Sequence, residues 1–377
     1  MANYSCVMDT IKPTTLISSS PNPATDDFIS NFTDADNIGG SGVKHQFYQV
    51  SDNNGIEWRS NLTNGFFNDE FNSAIHADWI DSSGVWSITG GYITQTDEAN
   101  ANTNVYSSCN QNSAGKYLYN YKARISGAGA NKRAGFHYMC DDASQPNRGN
   151  SYFVWFRQDD AKLQFYKVTN DVFSLEKDVP LTFNANQWYD IKIVYDKNTG
   201  ETEVWMDDNF ISSWVDASPL SLGNFISLRS GNCIYDVEDL QVYKTRTSSA
   251  MITVGSDPGD DIGYPGTPSG RINSIVIDTA YNVSSVVTEY VNVDLPTSVN
   301  ELSENDFVVY PNPANEHVIL KFNKNQSGEI IIKDLTGKQV KVEKLNYSKR
   351  LKISIHDLSK GIYFLHFNGK TVKLVKK

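Results

Sequence analysis

The segment SYFVWFRQDDAKLQFYKV, residues 151–168, decides the fold class of this chain. Large apolar and polar residues alternate along both of its halves, which is the pattern of strands in a β-sheet. A four-residue turn, residues 159–162, joins the halves into a predicted antiparallel hairpin. Similar strand-length runs fill residues 65–246 without a competing helical period. This length predicts a two-sheet jelly-roll sandwich rather than a seven-strand immunoglobulin domain of about 100 residues.

The rest of the 377 residues falls into further all-β pieces. Residues 13–62 and 247–294 offer about three strands each, too few for separate cores, but together they have the size of one immunoglobulin-like domain. We therefore predict a discontinuous immunoglobulin-like sandwich, into which the jelly roll of residues 65–246 is inserted. After a linker at residues 295–304, short β runs in residues 305–377 predict a small C-terminal sandwich. Residues 334–338 and Asn368-Gly369 are predicted to form hairpin turns in it, because glycine tolerates a positive φ.

The charge of the chain supports a separate tail. From residue 301 to the end there are 14 Lys and Arg against 8 Asp and Glu, which leaves 19 against 36 for the remainder. A basic tail on an acidic body indicates a distinct module. The net charge of -11 disfavours a nucleic-acid-binding protein, because phosphate binding needs clustered basic residues. No run of about 18 apolar residues predicts a transmembrane segment.

The cysteines do not define a metal site. Cys6, Cys109, Cys140 and Cys233 have no zinc-ligand spacing. If all four were oxidised, three disulfide pairings would exist, and buried free thiols are an equally valid interpretation.

The sequence contains no recognisable catalytic motif. It lacks the serine-hydrolase, metalloprotease and nucleotide-binding patterns, and its six histidines are scattered. Glycosidases need two carboxylates facing one sugar, and the nearest candidates are Glu201 with Glu203 and Asp236 with Glu238. The first pair is expected to face solvent beside a turn.

A binding face is the stronger hypothesis. Pairing the two halves of the hairpin places Arg157 opposite Gln164 and Trp155 opposite Tyr166, and His137 is predicted to join them from a neighbouring strand. Aromatic rings stack on the C–H faces of sugars, and planar polar groups bind the hydroxyls. Core aromatics with hydrogen-bonded polar tips remain the alternative interpretation.

Acidic clusters suggest a structural calcium ion, and no other cofactor is expected. Oxygen ligands suit calcium, although the spacing does not match an EF-hand, and solvated turn residues are the alternative. The candidate ligands are Asp34, Asp36, Asn37, Asp236, Glu238 and Asp239.

The tail resembles a known export signal. The runs YPNPANEHVILKF, GEIIIKDLTGKQV and LSKGIYFLHF, with the closing KTVKLVKK, resemble the type A C-terminal sorting domain of type IX secretion. The resemblance implies a cargo protein of a Gram-negative bacterium, located outside the cell or on the outer-membrane surface. It also implies two partners, the type IX translocon and a sortase-like peptidase. The matching positions are Pro311, Asn312, Pro313, Asp334, Leu335, Gly337, Leu358, Gly361, Tyr363, Lys373 and Lys376.

Two further resemblances concern the body. The run WYDIKIVYDKNTGETEVWMDD and its surroundings, residues 66–246, resemble the concanavalin A-like/laminin-G superfamily. The flanks resemble bacterial immunoglobulin-like repeats, with Tyr281 in place of a usual glycine. The whole arrangement resembles the C-terminal region of secreted peptidoglycan amidases and xanthan-lyase-like proteins. Because residues 1–15 do not resemble a signal peptide, we expect that the chain is part of a longer secreted protein.

These observations leave two functions open. In the first, the jelly roll binds a glycan and the tail exports it. In the second, the chain belongs to a polysaccharide- or peptidoglycan-degrading enzyme, either as an accessory region or as the hydrolase or lyase itself. A structural adhesin without a ligand pocket is a third possibility.

Overall fold

The chain divides into two compact units, residues 1–295 and 296–377. Residues 296–304 of the predicted linker, and residues 305–306 of the predicted tail, lie outside the described residues. The structure is a computed structural model that describes residues 9–20, 22–295 and 307–377.

The first unit is built from strands. One short 3₁₀ helix, Leu62–Asn64, accompanies them. In chain order the strands are β1 (Thr14–Ser20), β2 (Phe28–Ala35), β3 (Val43–Asn53), β4 (Trp58–Arg59), β5 (Phe67–Asp69), β6 (Trp79–Ser83), β7 (Trp86–Thr89), β8 (Tyr92–Gln95), β9 (Asn104–Ser108), β10 (Lys116–Ser126), β11 (Arg133–Cys140), β12 (Ser151–Arg157), β13 (Lys162–Thr169), β14 (Val172–Pro180), β15 (Tyr189–Asp196), β16 (Glu201–Met206), β17 (Asn209–Val215), β18 (Phe225–Gly231), β19 (Ile234–Thr245), β20 (Ser249–Ile252), β21 (Gly266–Asp278) and β22 (Val287–Val293).

Two facing sheets form the jelly-roll sandwich that the sequence predicts. The small sheet has seven strands in the order β14-β13-β12-β11-β18-β9-β6. The large sheet has twelve strands, and its main path runs β17-β16-β15-β10-β19-β3-β21-β22. Both sheets consist of antiparallel pairs, so chain neighbours such as β12 and β13 form hairpins.

The main core fills the space between these sheets. In β10, Tyr117, Tyr119 and Tyr121 are fully buried and occupy alternate positions, as period-2 strands require. They belong to the same apolar cluster as Phe136 of β11 and Val154 of β12 on the small sheet. A cluster of aromatic rings therefore joins the two layers, and each large ring contributes much buried apolar area.

The two flanks meet beside the jelly roll. Strand β2 pairs with β1 and β20 in a three-stranded sheet, while β3 pairs with β21 in the large sheet. Phe28 and Phe32 of β2 pack with Val50 of β3 and Ile272 of β21 in a second core. Strand β3 also pairs with β19, so one sheet continues from the flanks into the jelly roll. The immunoglobulin-like assignment and its boundaries stay predictions.

The second unit is a curled five-stranded sheet. The long strand His317–Asp334 pairs with Phe307–Tyr310, Gln339–Ser354 and Gly361–Phe367, and Gly361–Phe367 pairs with Lys370–Lys376. The predicted hairpin at Asn368-Gly369 is confirmed, since these two residues have φ angles of 44° and 80° and Phe367 pairs with Lys370. The strands are β23 (Phe307–Tyr310), β24 (His317–Asp334), β25 (Gln339–Ser354), β26 (Gly361–Phe367) and β27 (Lys370–Lys376).

The described cysteines are free thiols. Cys109, Cys140 and Cys233 are each fully buried in the first unit. Burial raises the pKa of the Cys109 thiol to about 12 and that of Cys233 to about 11. These thiols therefore stay protonated and serve as small apolar core residues. Cys6 lies outside the described residues.

A candidate binding cleft on the small sheet

The outer face of the small sheet carries an aromatic floor. In β12, Tyr152, Val154 and Phe156 point into the main core, so Phe153 and Trp155 point to the outer face. Their neighbours on this face are Tyr166 of β13 and Phe173 of β14. The ring centroids of Phe153 and Trp155 lie 4.3 Å apart, and those of Tyr166 and Phe173 lie 5.4 Å apart.

Three arginines surround this floor. Together with the four aromatic rings, Arg133, Arg157 and Arg229 line a cleft of about 220 Å³. The guanidinium carbon of Arg229 lies 4.8 Å from the ring centroid of Phe173 and 5.3 Å from that of Trp155. Both distances are within the range of cation–π contacts. We call this site the arginine–aromatic cleft.

A glycine in the central strand keeps the cleft open. Gly135 of β11 lies directly between Trp155 of β12 and Arg229 of β18 in the strand register. A Cβ atom at this position would lie 2.0 Å from the carbonyl oxygen of Val154 and 3.1 Å from the ring of Phe153. Glycine is therefore required for the close approach of the backbones, and its lack of a side chain leaves the row free for the Arg229 side chain.

The arginines differ in their partners. Arg157 Nε donates to Asp160 Oδ2 at 2.5 Å and forms an ion pair with it. Arg133 instead donates to neutral oxygens, the backbone carbonyl of Asn131 and the side chain of Asn232. Arg229 makes one long hydrogen bond, from Nη1 to Asn147 Oδ1 at 3.3 Å. Its Nε has no hydrogen-bond partner among the described residues, and the residue as a whole is only 9% exposed.

Burial and mutual repulsion perturb these cations. Burial, with the charge of Arg133, lowers the pKa of Arg229 from 12.5 to about 10. Burial, with the charge of Arg157, also lowers the pKa of Arg133. A pKa of about 10 leaves Arg229 protonated at neutral pH, so the cleft is cationic.

The predicted register of the hairpin is wrong by two residues. The structure pairs Arg157 with Lys162, Trp155 with Gln164 and Phe153 with Tyr166. The turn consists of residues 158–161 rather than 159–162, because the amide of Ala161 donates back to the carbonyl of Gln158. A shift of two residues leaves every side chain on its predicted face, so the aromatic face survives the error.

Two of the predicted binding residues do not line the cleft. Gln164 is 6% exposed, accepts a hydrogen bond from Tyr166 Oη at 3.0 Å and donates to Asp178 at 3.2 Å. His137 is fully buried and stacks parallel to Phe153, with ring centroids 3.9 Å apart. The hydrogen bond with Gln164 therefore orients Tyr166, and the His137 ring packs against the face of the Phe153 ring.

The burial of His137 also determines its charge. Burial first, and then the nearby charges of Arg148 and Arg229, lower the pKa of His137 well below 6.5. Its Nδ1 lies 3.1 Å from Ser151 Oγ, and its Nε2 has no partner among the described residues. The ring is neutral at pH 7 and does not reach the surface of the cleft.

Sequence reasoning missed Arg133, Arg229 and Phe173. Arg229 occupies an outward position between Leu228 and Ser230 of a predicted strand, and a charged residue inside such a run was the available signal. Its proximity to Trp155 depends on the strand order β12-β11-β18, which the sequence does not reveal.

The suggested calcium ligands do not form a single cluster. Asp34 accepts two hydrogen bonds from Arg246, each 2.7 Å long, and Asp236 accepts one from Arg124. Glu238 and Asp239 both bind Lys122.

The remaining candidate carboxylate, Asp36, lies elsewhere. Its oxygens approach those of Asp9 and Asp278 within 4.8 Å, and Asn37 is adjacent. Calcium at Asp36 and Asn37 stays a prediction.

The candidate catalytic carboxylate Glu203 is buried and bound by basic side chains. The prediction that it faces solvent is wrong, because its side chain is 1% exposed. Lys44 forms an ion pair with it, and His45 Nε2 lies 2.6 Å from its other oxygen. Lys116 Nζ donates to His45 Nδ1 at 3.2 Å, which leaves the Nε2–H of His45 to donate to Glu203. We call Lys44, His45, Lys116 and Glu203 the junction network, since it connects β3 of the flank to β10 and β16 of the jelly roll.

In the tail, the sorting motif residues bind the two ends of the unit together. The side chain of Asn312 donates to the carbonyl of Lys373 at 2.6 Å and accepts from the amide of Val375 at 2.8 Å. Lys376 donates to the carbonyl of Asn315. The segment that contains Pro311 and Pro313 is thereby attached to β27.

Other motif residues shape the turns of this unit. Asp334 Oδ1 accepts from the amides of Thr336 and Lys338, and Gly337 donates to the Asp334 carbonyl, so the predicted β24–β25 hairpin is confirmed. Gly361 opens β26, and Tyr363 donates from its hydroxyl to the carbonyl of Ser359 at 2.8 Å.

Comparison with known families identifies this tail. Residues 308–377 match the family described as the secretion system C-terminal sorting domain. The tail is a type IX sorting domain, which marks the protein as secreted or located on the cell surface and implies interaction with the type IX secretion machinery. Among the described residues, no helix has the length and hydropathy to cross a membrane.

Several solved structures resemble parts of the chain. The carbohydrate-binding module CBM66 from Bacillus subtilis is 16% identical, with 43% of this chain and 93% of that chain covered and a TM-score of 0.37. The β-glucanase of Bacillus licheniformis is 17% identical, with 48% and 99% covered and a TM-score of 0.37. The endo-β-1,3-glucanase from Pyrococcus furiosus is 8% identical, with 48% and 94% covered and a TM-score of 0.37. Likenesses this weak do not bear on the ligand of this chain. No curated protein sequence matches it.

Proposed function

We propose that the protein is exported by its sorting tail and binds carbohydrate outside the cell through the arginine–aromatic cleft. The cleft itself is the observation that carries this proposal. Tyr166 and Phe173, which are partly exposed, supply aromatic surface for the C–H face of a sugar ring, and Trp155, only 5% exposed, lies at the base of the cleft. The guanidinium groups of Arg133 and Arg229 supply N–H donors for oxygen atoms around that ring.

The size of the cleft favours a small recognition element. Its volume of about 220 Å³ is below the roughly 300–1,000 Å³ of pockets that enclose drug-sized ligands. We therefore propose that it accepts one sugar unit of a glycan at a time.

The chemistry of the lining favours binding over hydrolysis. None of the residues that line the cleft is a carboxylate. The nearby carboxylates of Asp160 and Asp178 are bound to Arg157 and Lys162. A two-carboxylate glycosidase mechanism requires an acid and a base or nucleophile that face the same bond, and this arrangement does not offer them.

The tail supplies the second half of the proposal. Its attachment of the Asn312 segment to β27 makes the unit a folded signal rather than a linear one. We propose that the type IX translocon reads this folded unit and that a sortase-like peptidase removes it afterwards.

Calorimetric titration of the full chain against a panel of neutral and acidic glycans tests the binding. In Tyr166→Ala, binding should weaken at least about tenfold, because a partly exposed ring that can stack on the sugar is lost. Tyr264→Ala, which removes an exposed aromatic residue outside the cleft, should bind like the wild type. Near-ultraviolet circular dichroism checks that each variant is folded. Absence of heat with every glycan of the panel would contradict the binding function.

A further inference from the structure

Two of the three cations of the arginine–aromatic cleft, Arg133 and Arg229, lack anionic partners among the described residues. Arg133 and Arg229 form no ion pair within 4.0 Å among the described residues, and the cleft lining contributes three arginines without a carboxylate. Elsewhere in the same unit, the buried Arg246 and the partly buried Arg124 contact carboxylates directly. Arg133 and Arg229 therefore give the cleft positive charge that no carboxylate among the described residues balances at ion-pair distance.

Arg229 is the most informative of these residues. Its side chain is more than nine-tenths buried, it packs over three aromatic rings, and its Nε has no hydrogen-bond partner in the described part of the chain. A buried cation with an unsatisfied donor is unfavourable unless a counter-charge arrives. Rings on one side and the long bond to Asn147 on the other hold the guanidinium beside the cleft.

We propose that the arginine–aromatic cleft selects an anionic sugar, with a carboxylate or sulfate group bound by Arg229 and Arg133 while the sugar ring lies on the aromatic floor. This inference rests on the proposed carbohydrate binding and names its ligand class. A planar guanidinium donates two parallel hydrogen bonds to a carboxylate or sulfate, and such charge-assisted bonds are stronger than those to neutral hydroxyls.

The lowered pKa values of Arg229 and Arg133 agree with this assignment. Burial and repulsion between the arginines disfavour their charged forms in the free protein. An anion in the cleft removes that penalty, so binding an acidic sugar should gain more free energy than binding its neutral counterpart.

The test compares two ligands that differ only in charge. The full chain is titrated with oligogalacturonate and with the same oligomer after its carboxyl groups are methyl-esterified. A sulfated oligosaccharide and sodium sulfate form two further arms. We expect the acidic oligomer to bind about 10- to 100-fold more tightly than the ester, with affinity that falls as salt rises.

Variants assign the effect to the cleft. Arg229→Gln should reduce binding of the acidic oligomer to the level of the ester, and Arg133→Gln should weaken it less. Lys352→Gln removes one exposed positive charge in the tail and is the control, with unchanged binding expected. If Arg229→Gln does not fold by circular dichroism, the Arg133→Gln titration decides.

The outcomes separate this inference from the proposed function. Equal binding of the acidic oligomer and its ester, unaffected by either arginine variant, would overturn the anionic specificity and keep carbohydrate binding. No binding of any oligosaccharide would overturn both. Binding of sodium sulfate as tightly as the oligomers would show a charge site without sugar recognition and would overturn the inference. Preference for the sulfated oligosaccharide over the carboxylated one would support the inference and assign the anion as sulfate.

Discussion

The outer faces of the two sheets each hold a cation beside an aromatic ring, but of Lys44 and Arg229 only Lys44 has a carboxylate partner among the described residues. On the large sheet, the junction network pairs Lys44 and His45 with Glu203, and Lys44 also lies 4.4 Å from the ring of Tyr281. On the small sheet, Arg229 lies over aromatic rings in the same manner but has no carboxylate within ion-pair distance among the described residues. Both sites have the cation–aromatic contact, so the counter-charge is the feature in which they differ.

The network side of this contrast should show the largest effect. Glu203→Ala leaves the partly buried Lys44 without its anion and the buried Nε2–H of His45 without its acceptor, and we expect the free energy of unfolding to fall by about 3 kcal/mol. Urea unfolding measures it. Glu201→Ala, two residues away and more exposed, is the matched control and should change the stability by less than about 0.5 kcal/mol. Equal losses of unfolding free energy in both variants would show that the junction network does not stabilise the fold.

Acid should remove the difference in stability between the wild type and Glu203→Ala. Burial raises the pKa of Glu203, but the hydrogen bonds from His45 and Lys44 outweigh it and hold the pKa below its ordinary value of 4.5. The stabilisation is therefore fully present above pH 4.5 and is lost as the pH falls through the lower folded pKa. The wild type and Glu203→Ala should converge in stability below pH 4.5.

Asp52 is the opposite case to Arg229, because it is a carboxylate that forms no ion pair among the described residues. Asp52 of β3 accepts hydrogen bonds from the amides of Gly263 and Tyr264, yet burial raises its pKa from 3.8 to about 6. The folded protein thus binds an extra proton between these values, and its contribution to stability falls as the pH rises from about 4 to 6. In Asp52→Asn this loss should disappear, which amounts to about 1–2 kcal/mol at pH 7 after allowance for partial exposure.

Thermal unfolding of wild type and Asp52→Asn at pH 4 and pH 7 measures that difference. A stability gap that is the same at both pH values would show that Asp52 does not titrate in this range.

The cleft side of the contrast should show the smallest change in stability. Arg229→Met keeps apolar contact with the rings and removes an unpaired buried cation, so stability should stay within about 1 kcal/mol of the wild type. Arg246→Met is the matched comparison, because it leaves the buried Asp34 carboxylate without its cation. It should lower the free energy of unfolding by about 3 kcal/mol. Similar losses from both substitutions would contradict the division between structural and binding cations.

Local sequence patterns predicted much of the fold but only part of the site. Period-2 alternation in β10 and β12 and the Asn368-Gly369 turn are local signals, and the structure has strands and a hairpin at these places. The register of the β12–β13 hairpin was wrong because the sequence does not specify which four polar residues form the turn.

Local sequence patterns do not predict the burial of His137 or the approach of Arg229 to Trp155. His137 is covered through contacts with Phe153 and the charged neighbourhood of Arg148, which lies in an irregular loop. Arg229 reaches Trp155 across Gly135, a contact between strands far apart in the chain. Both features follow from strand order, which a single sequence does not encode in any short motif.

The last residues of the chain are part of the folded tail rather than an overhang. The amide of Lys377 donates to the carbonyl of Ala314 at 2.9 Å, and the amide of Ala314 donates to the carbonyl of Val375 at 2.8 Å. A purification tag fused after Lys377 would therefore extend from a residue whose backbone is already hydrogen-bonded, next to the Asn312 segment. Such a tag should weaken the attachment of the Asn312 segment to β27, which is part of the export signal.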